Sequence, residues 1–480
     1  MQSAHLYQQI AQEMTLDIKE GLYEPGQKVP SVRKLSQQRH VSISTVNQAY
    51  ALLEDQGYLR AKPQSGYFVK EGANEPIQAP PVSQGGQPQD VGKDSMIKQM
   101  LDSINQPSIV NFAAAIAHES LLPLRALQNH VQKAVRFQSS DVFQYLFSPG
   151  LEPLRKQIAT RMRQVSVKCH HDDIIITQGC SEALALCLKS CTQPGDIVAV
   201  ESPCYYGFLH LAKQHGLKVI EIPTDANDGM SLDALALALK EWPIALIAVA
   251  SRYSNPIGAR LSIAKQQSLY KLAQQFDCQI LEDDIYGELG FKDDLKTVLK
   301  TFDVDDRVMY CSSFSKTLSP GLRIGWCLAG RHVESVKQRQ MFSSFSPSTL
   351  SQYAMSSYLK TGHYDKHLRK LRDVCQLNVQ TMSLAIRQHF PVGTRITQPQ
   401  GGFIIWLALP HPINTSELQT LALQHQINIA PGSLFSNGHE FDHYLRLNCA
   451  LPQDQNSREA IKTLGGLIKT LIDQNAGIKA

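Results

Sequence analysis

Apolar positions along the chain follow two different periods, and the change between them divides the molecule. In the first 70 residues Leu6, Ile10, Met14 and Ile18 recur every fourth position, which predicts one apolar stripe on a helix ending near Gly21. After a turn at EPGQ, Ser31 is placed to cap a short helix SVRKLSQQ. His40 and Val41 then break the pattern, and Ser42 or Ser44 can cap a longer helix, STVNQAYALLEDQG. The run YLRAKPQSGYFV holds two β-rich stretches around Pro63-Gln64-Ser65-Gly66, the pattern of a hairpin. Two short helices, a tight turn and a hairpin make a winged helix-turn-helix, whose second helix presents its first polar residues to base edges in the major groove. A small helical docking domain has the same periodicity.

Farther along, short β-rich runs alternate with helical stretches. DIIIT (173–177), DIVAV (196–200), LKVIEI (217–222), IALIAV (244–249), CQILED (278–283) and RVMYCSS (307–313) are the predicted strands, and SEALALCLKSC and SIAKQQSLYKLAQQF are two of the helices. Such alternation predicts an α/β domain with a mainly parallel sheet covered by helices. Its chemistry belongs at the carboxyl ends of the strands. Between the two patterns, residues 71–95 contain four Pro, four Gly and four Gln, with only Ile77, Val82 and Val91 as bulky apolar side chains. A segment like this cannot offset its ordering entropy by burial. The expected organisation is a winged module over 1–70, a linker over 71–107 and a large domain over 108–480.

Composition narrows the partners. Hydrophobic residues make up 43% and charged residues 19% of the 480, which excludes global disorder. Forty-seven Lys and Arg against 43 Asp and Glu give a net charge of +4, so any contact with DNA must be local. Lys28, Arg33, Lys34, Arg39, Arg60, Lys62 and Lys70 cluster around the second and third helices and the wing, where phosphates would lie. All ten cysteines fall beyond residue 160 without a CxxC pair, as suits reduced thiols. The polar start and the lack of a membrane-length apolar run point to a cytoplasmic protein with no membrane partner.

Candidate chemistry gathers in a few strings. SSFSKTLSPGLRIGW places Ser313, Ser315, Lys316 and Arg323 in a region of small and apolar residues. A desolvated Lys there becomes a neutral nucleophile able to form a Schiff base, although a Lys flanked by Ser is in most contexts a solvated loop residue. Cys169-His170-His171-Asp172-Asp173 has the residue types of a metal site, but adjacent side chains on a turn are expected to point apart, so no metal is expected.

Two resemblances sharpen this picture. Pro30, Ser31, Arg33, Leu35, Val41, Ser42, Thr45, Val46, Ala49, Tyr50, Leu53 and Gly66 resemble the winged helix of the GntR family of bacterial regulators. That resemblance implies DNA contacts from Arg33, Ser42, Ser44, Thr45, Asn47 and Gly66. One departure is Ile43, where many members carry Arg. In the large domain, Asn255-Pro256-x-Gly258, Asp283-x-x-Tyr286, Ser313-x-x-Lys316 and Arg323 resemble the class I aminotransferases in order and spacing.

The second resemblance implies a type I pyridoxal-phosphate-dependent transferase fold, with a large seven-stranded, mainly parallel sheet and a smaller α+β subdomain. It implies that Lys316 holds pyridoxal phosphate as an imine, and that Asp283 keeps the pyridine nitrogen protonated. Asn255 and Tyr286 would bind the phenolic oxygen, and Tyr205 would stack on the ring. Gly179, Cys180, Ser181, Ser313 and Arg323 would hold the phosphate, with Arg446 on a substrate or effector carboxylate. Tyr145 would reach the site of the other subunit, which implies a homodimer. Together the two parts resemble the MocR family, and imply a regulator that senses an amino compound or vitamin B6 by imine exchange at Lys316. A working aminotransferase that carries a DNA-binding module is the alternative.

Overall fold

The computed structural model describes residues 3–19, 22–24, 26–39, 41–62, 65–70, 79–83, 85–89, 98, 100, 102–103, 106, 108–138, 140–292, 297–410 and 413–477. The chain forms two compact units, Met1–Gln78 and Ala79–Ala480. No helix among the described residues is long and apolar enough to cross a membrane.

In the first unit, helices α1 (Ser3–Lys19), α2 (Val32–Arg39) and α3 (Ile43–Asp55) precede a hairpin of β1 (Leu59–Lys62) and β2 (Gly66–Val69). Ile10, Met14 and Ile18 are buried, whereas Leu6 at the start of the stripe stays 39% exposed. The Ser31 hydroxyl accepts the Lys34 N–H at 3.3 Å and starts α2. Of the two serines that could begin α3, Ser42 is the cap, accepting the Thr45 N–H at 3.1 Å. Tyr50 is fully buried and donates to the Pro30 carbonyl at 2.7 Å, which ties α3 to the loop before α2. The wing is fastened by the Ala61 N–H on Glu54 Oε1 at 2.9 Å. Gly21, His40 and the Pro63-Gln64 turn lie outside the described residues.

The second unit is built on an eight-stranded sheet. In chain order its strands are β3 (Ile174–Thr177), β4 (Ile197–Ser202), β5 (Lys218–Asp225), β6 (Gly229–Met230), β7 (Ile244–Val249), β8 (Gln279–Asp283), β9 (Val308–Ser313) and β10 (Gly325–Leu328). They lie in the order β3-β10-β9-β8-β7-β4-β5-β6. The central neighbours are parallel, while β10 runs antiparallel to both β9 and β3, and β6 antiparallel to β5. Strands β3, β4, β9 and β10 are buried at every position, because helices cover both faces. The expected seven strands become eight through the two-residue edge strand β6. A smaller antiparallel sheet joins β11 (Arg395–Ile396), β12 (Ile404–Ala408), β14 (Tyr444–Asn448) and β13 (Ala430–Pro431) in that order.

The stretch expected as a linker is shorter in the fold. Residues 71–78 lie outside the described residues, but farther on the backbone of Gln89 exchanges two 2.9 Å hydrogen bonds with Val219. Met100 is fully buried and its carbonyl accepts from Asn428 Nδ2 at 3.1 Å. Residues with few apolar side chains are thus held on the large unit by backbone pairing, which a count of bulky residues does not register.

Candidate functional site

Parallel strands deliver their last residues to one rim, and there a cavity of about 250 Å³ opens. Its wall includes Cys180 and Ser181 after β3, Tyr205 after β4, Asn255 after β7, Asp283 and Tyr286 at and after β8, and Lys316 after β9. Arg323, just before β10, joins the same wall. Two residues expected at the site stand behind it. Gly179 precedes the helix α4 (Cys180–Cys191), and Ser313 is buried with its hydroxyl accepting the Ser315 N–H at 3.2 Å. Ser315, given no role from the sequence, does line the cavity, and its buried hydroxyl has no partner among the described residues.

Charge in the cavity is arranged by burial. Asp283 Oδ1 accepts the Ile285 N–H at 3.1 Å and lies 3.6 Å from the Cys180 thiol. Desolvation raises this carboxyl to about 6 despite those donors. Lys316 Nζ donates to the Ala115 carbonyl at 2.6 Å, and burial, reinforced by the Arg446 charge, lowers its amine to about 8. Glu201, which sequence reasoning passed over, lines the same wall and accepts the Ala250 N–H at 2.9 Å. Desolvation pushes it up to about 8. Its signal was an acidic residue inside the apolar strand IVAVES, where a charge has no ordinary reason to be.

Several donors are pre-placed without partners. Tyr286 Oη is buried and unpartnered among the described residues. Arg446 does not itself line the cavity but touches its wall: fully buried on β14, it gives Nη1 to Asn255 Oδ1 at 3.2 Å, while its Nε and Nη2 have no partner among the described residues. Buried donors left this way cost stability unless a ligand satisfies them. Behind the wall, Gly179 has φ +85°, and a Cβ there would come within 2.6 Å of Arg323 Nη2. The guanidinium therefore packs over bare backbone, donating to the Gln178 carbonyl at 2.7 Å beside the amino end of α4. Backbone N–H groups and a guanidinium at a helix start form a seat for a phosphate dianion. Carboxylate, amine, phenol, unpartnered hydroxyl and phosphate seat converge on one cavity, and this donor set fits pyridoxal phosphate.

Tyr145 is not at this cavity within the chain. It is 75% exposed, stacked on Phe147 at 5.8 Å and near Phe345 at 6.2 Å, in a run of exposed aromatics with Phe143. The donor atoms of His170, His171 and Asp172 lie within 4.8 Å of one another, against the expectation that they point apart. Two of them are already engaged: Asp172 Oδ1 accepts from Arg155 at 2.8 Å and His170 caps its own turn.

In the first unit the residues expected to meet DNA fall on α2, on and just before α3, and on the wing. Ser42, Ser44 and Asn47 are exposed on α3 and Thr45 is half-buried, with Arg33 exposed on α2. Gly66 opens β2 at φ +101°.

Comparison with known proteins matches residues 117–464 to the aminotransferase class I and II family and residues 6–69 to the bacterial regulatory proteins of the gntR family. Over 461 residues the chain is 39% identical to the HTH-type transcriptional regulator YjiR of Escherichia coli K12, covering 96% of this chain and 98% of that one. It is 37% identical to YdcR of the same organism, covering 96% and 99%. Aromatic-amino-acid aminotransferase 1 of Thermococcus litoralis is 28% identical over 78% of this chain and 92% of its own. Among solved structures, α-aminoadipate aminotransferase of Thermus thermophilus, complexed with N-(5'-phosphopyridoxyl)-L-leucine, matches at a TM-score of 0.74 and 26% identity, covering 80% and 96%.

Proposed function

Because the chain belongs to the class I and II aminotransferase family and carries a gntR-type module ahead of it, as MocR-type regulators do, we propose that it is a pyridoxal-phosphate-dependent transcriptional regulator responding to an amino compound or a B6 vitamer. One observation carries the reading: a lysine amine lowered to about 8 faces a buried carboxylate in a cavity of the same polypeptide that bears a capped recognition helix.

When bound, pyridoxal phosphate supplies an aldehyde that condenses with amines and a ring that takes up electrons. The residues of the chain do the rest. Lys316, its amine lowered to about 8, would keep a neutral fraction near physiological pH and would compete with incoming amino groups for the aldehyde. Asp283 holds the proton at the ring nitrogen, Tyr286 and Asn255 offer hydrogen bonds at the phenolic oxygen, and Arg323 with the start of α4 anchors the phosphate. Arg446, with Nε and Nη2 unpartnered among the described residues, binds the carboxylate of an amino-acid effector. The exposed aromatics around Tyr145 favour a homodimer. An effector alters DNA affinity only if it binds one conformation of that dimer better than another, by roughly 1–3 kcal/mol for a useful switch.

The second reading, a working aminotransferase, is favoured by the complete donor set from Asn255 to Arg446; Arg446 alone serves either reading and speaks only against a pure sensor of cofactor level, which has no use for a carboxylate grip. The deciding experiment measures promoter binding and keto-acid production in one preparation titrated with amino compounds. Effector-dependent binding without sustained turnover supports the regulator. Turnover without preference for any genomic fragment overturns it.

A further inference from the structure

The exposed surface of α3 has an unusual chemistry for a helix that meets nucleic acid. Val46, Ala49, Tyr50 and Leu53 are buried, leaving Ile43, Ser44, Asn47, Gln48, Ala51 and, at the far end against the wing, Glu54 exposed. None of these is cationic, and the whole helix contains no Lys or Arg. The cations sit elsewhere: Lys28 before α2, Arg33 and Lys34 on α2, and Arg60 and Lys62 on the wing. Arg39 is paired with Glu13 at 2.8 Å. Ile43 is the first residue of the helix and is 50% exposed. Beside it, Ser42 Oγ is bonded to Ser44 Oγ at 2.8 Å and to Thr45 Oγ1 at 2.7 Å, so these hydroxyls partly satisfy one another. The protruding group at the leading end of the helix is therefore an apolar branched side chain. Ile43, Asn47 and Ala51 follow at four-residue steps along one face.

A lone exposed isoleucine is ordinary on a protein surface; its place decides here. Base pairs differ in the major groove by what they offer. Guanine presents two acceptors, read by Arg or Lys. Adenine presents an acceptor and a donor, read by a carboxamide, and thymine presents a methyl group, read by apolar contact. We infer that α3 reads A·T base pairs, with Ile43 packed on the 5-methyl group of a thymine and Asn47 or Gln48 on an adenine edge, while the cations of α2 and the wing hold phosphates without reading sequence. This rests on the reading that the first unit binds duplex DNA.

The test uses the full-length protein loaded with pyridoxal phosphate and a random duplex library. Repeated selection is expected to yield sites whose bases facing α3 are A·T pairs. Uracil then replaces each thymine of the selected site in turn, removing one methyl group. At one position the wild type is expected to lose roughly fourfold in affinity, the effect of one buried methyl. Ile43→Ala should bind the thymine and uracil duplexes equally, and Ile43→Val should retain most of the difference. If selection returns no preferred sequence, the DNA-binding reading itself fails. If a preferred sequence emerges but guanines face α3, or uracil changes nothing at any position, DNA binding stands and the assignment to Ile43 is overturned.

Discussion

Asp283 and Lys316 face one cavity with their titrations drawn toward each other. Burial raises the carboxyl to about 6 and lowers the amine to about 8, so near neutral pH the first is charged and the second is close to losing its proton. The rate at which the cofactor-free protein takes up pyridoxal phosphate covalently should therefore rise with pH through about 8 and then level off. Rapid-mixing absorbance from about pH 6 to about pH 10.5 checks this, a window that spans the ordinary lysine range. A rate still climbing at about pH 10 would mean that Lys316 titrates like a solvated lysine.

Glu201 makes a separate prediction about stability. Its folded-state value of about 8 exceeds that of an exposed carboxyl, so the native state binds the proton more tightly than the unfolded chain. The contribution is fully present below the ordinary carboxylate range and is lost as pH rises toward about 8. Over that window the cofactor-free protein should lose on the order of a few kcal/mol at this site. Glu201→Gln should flatten the slope of melting temperature against pH. An unchanged slope would place the titration elsewhere.

Gly179→Ala should weaken cofactor binding about 10–100-fold, through a Cβ that displaces Arg323 and a backbone conformation at φ +85° that alanine resists. Equilibrium titration followed by cofactor absorbance measures it, and pyridoxal without its phosphate should be affected much less. Equal losses for both vitamers would remove Arg323 from the phosphate seat.

Arg446→Ala should lower the affinity for α-amino acids about 10–100-fold, because two charge-assisted hydrogen bonds are lost. The decarboxylated amine of the same amino acid is expected to bind about as before. Spectral titration of the cofactor-loaded protein with both compounds distinguishes this from a general loss of folding, which would weaken the two alike.

Local patterning made much of this molecule legible. Strands with continuous apolar runs declare themselves because both sheet faces are covered, and Ser42 marks the start of α3 because few residue types satisfy a free helix N–H. The antiparallel strand β10 is not legible in the sequence: GLRIGWCL is short, is interrupted by Gly325 where the strand begins, and gives no sign of strand direction. Ala115 entered the site through a backbone carbonyl, which no side-chain pattern can announce. Ser315 rather than Ser313 faces the cavity because the turn after β9 directs the first hydroxyl back onto its own backbone.

The reversed course of β10 has an outcome for how the cavity responds as a whole. Its neighbour β9 runs out toward the rim and β10 comes back from it, so the intervening loop carries Lys316 at its departure and Arg323 at its return. The aldehyde and the phosphate of pyridoxal phosphate, neighbours on its ring, would thus both be held by the same short bight of chain. A change at Lys316 and a change at Arg323 would therefore act on one continuous stretch of main chain, with the amine and the guanidinium joined by a single covalent path.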